Sequence, residues 1–153
     1  MCPVAERDSV LSLICRVRDR LCALPLEHVI ETLRPLPVES VAGAPDFVRG
    51  LAVIRGMPVP VVDAARLFGD EDAQPERFVT LVAGTRRIAL AVDSVLGVRS
   101  ISRDALHALP PLLHEAGDDV IASIGLLDAE LLLVLRSARL LPAELFPAVI
   151  GDA

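Results

Sequence analysis

The sequence predicts an all-β protein built from small barrels. Its apolar residues fall into short runs of strand length, and Gly, Pro or Asp residues separate neighbouring runs. Many short strands with turn signals between them are typical of small barrels. With 153 residues and 53% hydrophobic content, the chain can form one domain, or two small subdomains that share a core. We therefore expect a single domain over residues 1–153.

The first predicted element is a hairpin near the amino terminus. Residues 11–17 mostly alternate between apolar and polar, residues 21–24 are apolar, and Asp19 lies in the interruption between the two runs. Cys15 and Cys22 would then lie near one another across the pair. We interpret both as buried small hydrophobic residues, because a reactive thiol requires an exposed, electropositive setting.

The next segment, residues 25–35, predicts a short helix. Leu26, Val29, Ile30 and Leu33 recur at the i, i+3, i+4 and i+7 spacing of a helical face. A second short helix is expected at the carboxy-terminal end, over residues 140–146.

The remaining predicted strands form pairs along the chain. Their residues are 47–54, 57–63, 78–83, 88–92, 95–101, 121–127 and 131–135. Arg55 and Gly56 lie in the turn of the first of these pairs. Pro58 and Pro60 cannot donate to a ladder, so an edge or a bulge is expected at those positions. The three strands over residues 78–101 are expected to form a meander.

The composition argues against nucleic-acid binding and membrane insertion. There are 21 acidic residues against 15 basic ones, all of them Arg, and the net charge is −6. No apolar run approaches the roughly 18–20 residues that span a bilayer, and no secretory signal is evident. The polar segment 69–77 predicts a mobile surface loop. We expect a cytoplasmic protein with no direct membrane insertion.

Residues that could carry catalysis or bind a metal do not form a known motif. His28, His107 and His114 lack the spacing of a zinc site, and no nucleophile elbow, phosphate-binding loop or dinucleotide-binding turn occurs. Asp63 and Asp93 each follow an apolar run, where an Asp usually bonds nearby backbone N–H groups and shapes the turn. We therefore expect no catalytic residue, no metal site and no cofactor.

One segment is specific enough to indicate a family. Residues 50–63, GLAVIRGMPVPVVD, resemble the CheW-family signature Gly-x-x-Asn-Leu-Arg-Gly-x-x-x-Pro-x-x-Asp. The matching positions are Gly50, Arg55, Gly56, Pro60 and Asp63. Residues 22–31, 44–50 and 88–98 resemble further segments of that family in the same order. The chain thus resembles the CheW family of chemotaxis coupling proteins over nearly its whole length.

The resemblance implies both a fold and a role. The fold would be two intertwined five-stranded SH3-like β-barrel subdomains around a common core, with one or two short helices. The role would be a non-catalytic scaffold between the cytoplasmic tips of methyl-accepting chemoreceptors and a CheA-type histidine kinase. The resemblance implies receptor contacts at Val29 and Arg55 and kinase contacts at Glu31 and Gly50. The planar guanidinium of Arg55 also suits a partner carboxylate on physical grounds.

Other signature positions are expected to be structural. Gly50 and Gly56 satisfy backbone requirements for a turn or a close approach more readily than they supply contacts. Pro60, Asp63 and Asp93 are interpreted as structural turn residues.

Three alternatives remain open. Val53 stands where the signature has Asn, and Arg136 where many members carry Asp, so the chain could be an adaptor of a non-flagellar signalling array. It could also be an unrelated oligomeric β-sheet binding module that pairs through the edge at residues 58–60. The third alternative is a small enzyme that uses the cysteines or a carboxylate pair.

Overall fold

The computed structural model describes residues 8–69, 74–108 and 120–140. Strands dominate these ranges, which confirms the predicted all-β class. The described strands are β1 (Ser9–Val17), β2 (Arg20–Pro25), β3 (Val29–Leu33), β4 (Val48–Ile54), β5 (Met57–Asp63), β6 (Arg77–Ala83), β7 (Arg86–Val92), β8 (Ser94–Ser102), β9 (Ile121–Leu127) and β10 (Glu130–Leu135).

Helical structure is short. One α-helix, α1 (Ala64–Leu67), follows β5, and three 3₁₀ turns cover Leu26–His28, Arg103–Ala105 and Ser137–Arg139. Within the described ranges, no helix has the length and apolar character needed to cross a membrane. The helix expected over residues 140–146 lies outside the described residues after Leu140.

The helix predicted over residues 25–35 is wrong. The chain makes a single 3₁₀ turn at Leu26–His28 and is then extended as β3. Three of the five residues of β3 are β-branched, and β-branched residues favour strands. Pairing with β6 supplies the backbone hydrogen bonds that a helix would otherwise have made.

The strands form two five-stranded sheets. Sheet A has the order β8-β1-β2-β10-β9, and sheet B has the order β3-β6-β7-β5-β4. Each sheet has an edge strand and two hairpins, and one parallel pair joins the hairpins, β2 with β10 in sheet A and β7 with β5 in sheet B. The edge strands are exchanged, because β3 follows the β1–β2 hairpin into sheet B and β8 follows the β6–β7 hairpin into sheet A. This agrees with two intertwined subdomains.

The exchange corrects the expected meander over residues 78–101. Strands β6 and β7 do form a hairpin, but β8 pairs with β1 in the other sheet. Strand β7 already has β6 on one side and β5 on the other, so β8 cannot add to it. The chain crosses between the sheets at Asp93, whose N–H donates to the Arg16 carbonyl at 3.0 Å.

The core has three parts, and the largest lies between the sheets. Residues from both sheets meet there, among them Cys15 and Leu24 of sheet A and Leu81 and Leu90 of sheet B. Sheet A buries a second cluster around Ile14, and sheet B buries a third cluster that includes Ala52, Ile54, Val61, Phe78 and Ala89. Strands buried on both faces read as continuous apolar runs rather than as alternation.

The two prolines of β5 occupy a locally open edge. Pro58 and Pro60 pair with β4 on one side, whereas the parallel pairing of β5 with β7 begins only at Val61. Proline has no backbone N–H, but no neighbouring strand among the described residues lies on the open side of Pro58 and Pro60, so no ladder hydrogen bond is lost there.

Candidate protein-binding site

Arg55 and Glu31 form a bidentate ion pair on sheet B. The Arg55 Nε donates to Glu31 Oε2 at 3.0 Å, and its Nη2 donates to Glu31 Oε1 at 2.6 Å. Arg55 has a φ of 55° and Gly56 a φ of 79°, the backbone of a tight two-residue hairpin turn between β4 and β5. This turn presents the guanidinium beyond the end of the strands.

The pair joins the two ends of sheet B. Strands β3 and β4 are the outermost strands of the sheet, and Glu31 lies on β3 while Arg55 directly follows β4. The hydrogen bond from Arg55 lowers the pKa of the Glu31 carboxyl, and the same bond raises the pKa of the guanidinium. Both groups are therefore held in their charged forms.

The two partners differ in exposure. The side chain of Arg55 is 71% exposed, whereas that of Glu31 is 26% exposed. A guanidinium has five N–H donors, and the pair uses two of them. Arg55 can consequently reach a carboxylate on another molecule, while Glu31 is held against the sheet.

Apolar residues lie beside the ion pair. A groove of about 260 Å³ beside it is lined by Leu33, Leu36 and Ile54. Three large hydrophobic residues of sheet B are exposed: Ile30 of β3 by 41%, Val53 of β4 by 70% and Met57 of β5 by 55%. Exposed apolar residues around a fixed charge are typical of protein-binding surfaces.

Val29 lies on β3, two residues before Glu31. It pairs with Leu81 of β6, is half-buried, and packs against the core between the sheets. The resemblance assigned Val29 and Arg55 to one partner and Glu31 to another. In the structure Arg55 contacts Glu31 directly, whereas Val29 faces the core between the sheets, because a register shift between Val29 and Glu31 turns the two side chains to opposite faces of β3.

Gly50 is buried within β4 and has a φ of 141°. A Cβ built on it would collide with the backbone carbonyl of Glu39, which pairs with Leu51 through two hydrogen bonds of 2.9 and 2.8 Å. Gly50 thus permits the close passage of the Glu39 segment, and it offers a partner little surface. Its kinase contact remains a prediction.

Asp63 is buried at the junction of β5 and α1. Its Oδ1 accepts the N–H groups of Ala65 and Arg66 at 3.0 and 3.3 Å and so caps the helix, while its Oδ2 accepts from Arg49 Nη1 at 2.7 Å. Arg49 was not singled out in the sequence, because only the folded hairpin brings it to Asp63. Asp93 Oδ2 likewise accepts a backbone N–H, that of Arg18, at 2.8 Å.

The cysteines and histidines are the remaining candidates for chemistry. Cys15 and Cys22 are paired across β1 and β2, as predicted, and burial raises the pKa of each thiol to about 12. In the part of the chain that the structure describes, no three His, Cys, Asp or Glu side chains come together as metal ligands. His28 Nδ1 lies 3.3 Å from Ser137 Oγ, while His114 is outside the described residues.

Comparison with known proteins identifies the family. The family model described as CheW-like domain matches residues 12–145, which is most of the chain. The chain belongs to the CheW-like family. The structure of scaffolding protein TtCheW from Thermoanaerobacter tengcongensis superimposes with a TM-score of 0.77 at 19% identity, covering 86% of this chain and 92% of that one. The two proteins therefore share one fold.

Three curated relatives are between 26% and 32% identical to this chain over the aligned residues. Chemotaxis protein CheW of Klebsiella aerogenes is 26% identical over 110 residues, which cover 70% of this chain and 66% of that protein. Protein FrzA of Myxococcus xanthus is 32% identical over 101 residues, which cover 64% and 62%. Probable chemotaxis protein CheW of Rhizobium etli is 26% identical over 100 residues, which cover 63% and 64%. The chain thus spans just under two thirds of the length of these relatives.

Proposed function

We propose that this CheW-like protein is a non-catalytic, cytoplasmic scaffold that couples chemoreceptor tips to a CheA-type histidine kinase. The observation that carries the proposal is the Arg55–Glu31 pair, in which an exposed guanidinium with unused donors lies beside a groove lined by apolar side chains. The family match and the fold support the scaffold role.

Arg55 supplies the contact that we assign to the receptor. Its exposed guanidinium can bind an acidic side chain of the receptor tip by two parallel hydrogen bonds, while Val29 and Ile30 add apolar area on the same strand. We assign Glu31 to the kinase contact. In the free protein Glu31 also orients Arg55 through their ion pair.

A co-sedimentation experiment tests the coupling role. The purified chain is mixed with a CheA-type regulatory domain, with a receptor tip fragment, and with both together. We expect each fragment to bind alone and all three to form one complex. Retained folding with no binding to either fragment would overturn the proposal.

An adaptor of another signalling array is a second candidate. FrzA is 32% identical to this chain, against 26% for the two relatives named as chemotaxis proteins. Preferential binding of receptor and kinase fragments from a pathway other than flagellar motility would favour it.

A further inference from the structure

Arg87 is a third charged residue at the Arg55–Glu31 site, and no motif pointed to it. In sheet B, Glu31 pairs with Thr80, and Thr80 pairs with Ala89 on β7. Side chains two residues apart on a strand share a face, so Arg87 lies on the face that carries Glu31. Arg87, Arg55, Glu31 and Thr80 line the same small cleft.

The three side chains carry two positive charges and one negative charge. Arg55 holds the carboxylate by hydrogen bonds, and the charge of Arg87 lowers the Glu31 pKa further from a greater distance. Arg87 is exposed, and no hydrogen bond or ion pair ties its side chain to another residue within residues 8–69, 74–108 and 120–140. The cleft therefore contains a second positively charged side chain, and this side chain takes no part in the Arg55–Glu31 ion pair.

This second cation matters when Arg55 leaves Glu31. An exposed ion pair is a weak interaction, so a partner carboxylate can compete for Arg55 at small cost. Glu31, however, is only about a quarter exposed, and a partly buried carboxylate without a counterion is unfavourable. The binding of an acidic partner would be opposed by this loss unless another cation takes the place of Arg55.

We propose that Arg87 becomes the counterion of Glu31 when Arg55 turns to an acidic side chain of a binding partner. Arg87 is then a positioning residue, because it acts through Glu31 and releases Arg55 for the contact. The identity of the partner rests on the proposed function, but the exchange of counterions within the chain does not.

Carboxyl NMR titration of Glu31 tests the exchange without any partner. The variants are Arg55→Gln, Arg55→Gln with Arg87→Gln, and Arg99→Gln, which removes the cation of an exposed ion pair in sheet A. We expect the Glu31 pKa to stay below its ordinary value in Arg55→Gln and to return to it only in the double variant. Arg99→Gln should leave it unchanged. A return to the ordinary value in Arg55→Gln alone, with no further effect of Arg87→Gln, would overturn the proposal.

Binding of the receptor tip fragment tests the consequence. Arg87→Gln should weaken binding about tenfold, a coupling of about 1.4 kcal/mol, when Glu31 is present. In a Glu31→Gln background the same substitution should have little effect, because no charge remains to be compensated. An equal loss in both backgrounds would contradict the positioning role. If the wild-type chain does not bind the tip at all, the proposed function fails while the titration still decides the exchange.

Discussion

Sheets A and B share one arrangement, an edge strand followed by two hairpins, and the candidate site described above lies on sheet B. In both sheets an ion pair links the edge strand to the turn of the far hairpin, Arg99 of β8 to Asp128 in sheet A and Glu31 of β3 to Arg55 in sheet B. The charges are reversed, so the hairpin turn carries the acid in sheet A and the base in sheet B.

The two pairs differ in geometry and surroundings. The Arg99–Asp128 pair has one contact of 3.3 Å between side chains that are 50% and 71% exposed, whereas the Arg55–Glu31 pair has two hydrogen bonds and a partly buried carboxylate. The bidentate pair of sheet A, Arg16–Glu130, joins β1 to β10 across β2 and does not reach the edge strand. The shared architecture therefore does not create the site. The site depends on the side chains of Glu31 on β3 and Arg55 in the β4–β5 turn, and we call the place where they meet the seam of sheet B.

The largest expected difference between the sheets concerns the end of the second hairpin strand. Asp63→Ala removes the helix cap and leaves Arg49 without its buried partner, and we expect a loss of about 3 kcal/mol in the free energy of unfolding. Arg136, which follows β10 in sheet A, caps nothing with its side chain. Arg136→Ala should change stability by less than about 0.5 kcal/mol. Urea unfolding of both variants checks this, and similar losses would contradict the distinction.

Two glycines with positive φ provide the next comparison. Gly50 of β4 has φ 141° and faces the Glu39 backbone, whereas Gly97 of β8 has φ 131° and open space around it. Alanine strains the backbone at both positions, but only Gly50→Ala also forces the Glu39 segment away. We expect Gly50→Ala to be the more destabilising by about 2 kcal/mol. Equal melting temperatures would show that the Glu39 segment yields without cost.

The hairpin turns should respond in opposite directions. The β4–β5 turn has Gly56 at its second position, whereas the β9–β10 turn has Ala129 there with a φ of 69°. Because a left-handed backbone penalises a Cβ, Ala129→Gly should stabilise the protein by about 1 kcal/mol, and Gly56→Ala should destabilise it by a similar amount. Thermal melts of the two variants measure this. No gain in Ala129→Gly would mean that the turn of sheet A relaxes elsewhere.

The smallest expected effect is a pH dependence of the sheet B seam. The folded-state pKa of Glu31 is lowered, so the stability from the pair is complete above the ordinary glutamate pKa and is lost as the pH falls through the lowered value. The difference in unfolding free energy between wild type and Glu31→Gln should therefore shrink on acidification. Asp128→Asn serves as the matched control in sheet A. A difference that stays constant from neutral pH into the acid range would refute the assignment.

Local patterns predicted the hairpins well because each turn is encoded within a few residues. Asp19, the Arg55-Gly56 pair and residues 128–129 all lie where the structure turns. The helix predicted over residues 25–35 was wrong, since the apolar spacing of residues 26–33 fits a helix although β3 follows a single 3₁₀ turn. Pairing with β6, a distant strand, decided the outcome.

Long-range features could not be read from the sequence. The exchange of β3 and β8 rests on pairing between strands that are far apart in the chain. The signature identified Arg55. The ion pair between Arg55 and Glu31, however, forms only because the two outermost strands of sheet B, β3 and β4, come together in the fold. Arg49 and Arg87 were missed for the same reason, because only the folded sheet brings Arg49 to Asp63 and places Arg87 in the cleft that contains Glu31.

The most direct measurement is calorimetric binding of the receptor tip fragment to two charge-swapped proteins. One carries Arg55→Glu with Glu31→Arg, and the other carries Arg99→Asp with Asp128→Arg, so each keeps its ion pair and the net charge of the chain. If the seam of sheet B is the receptor site, the first protein loses binding and the second binds like wild type. Unchanged binding by the first protein, or equal losses by both, would contradict the account.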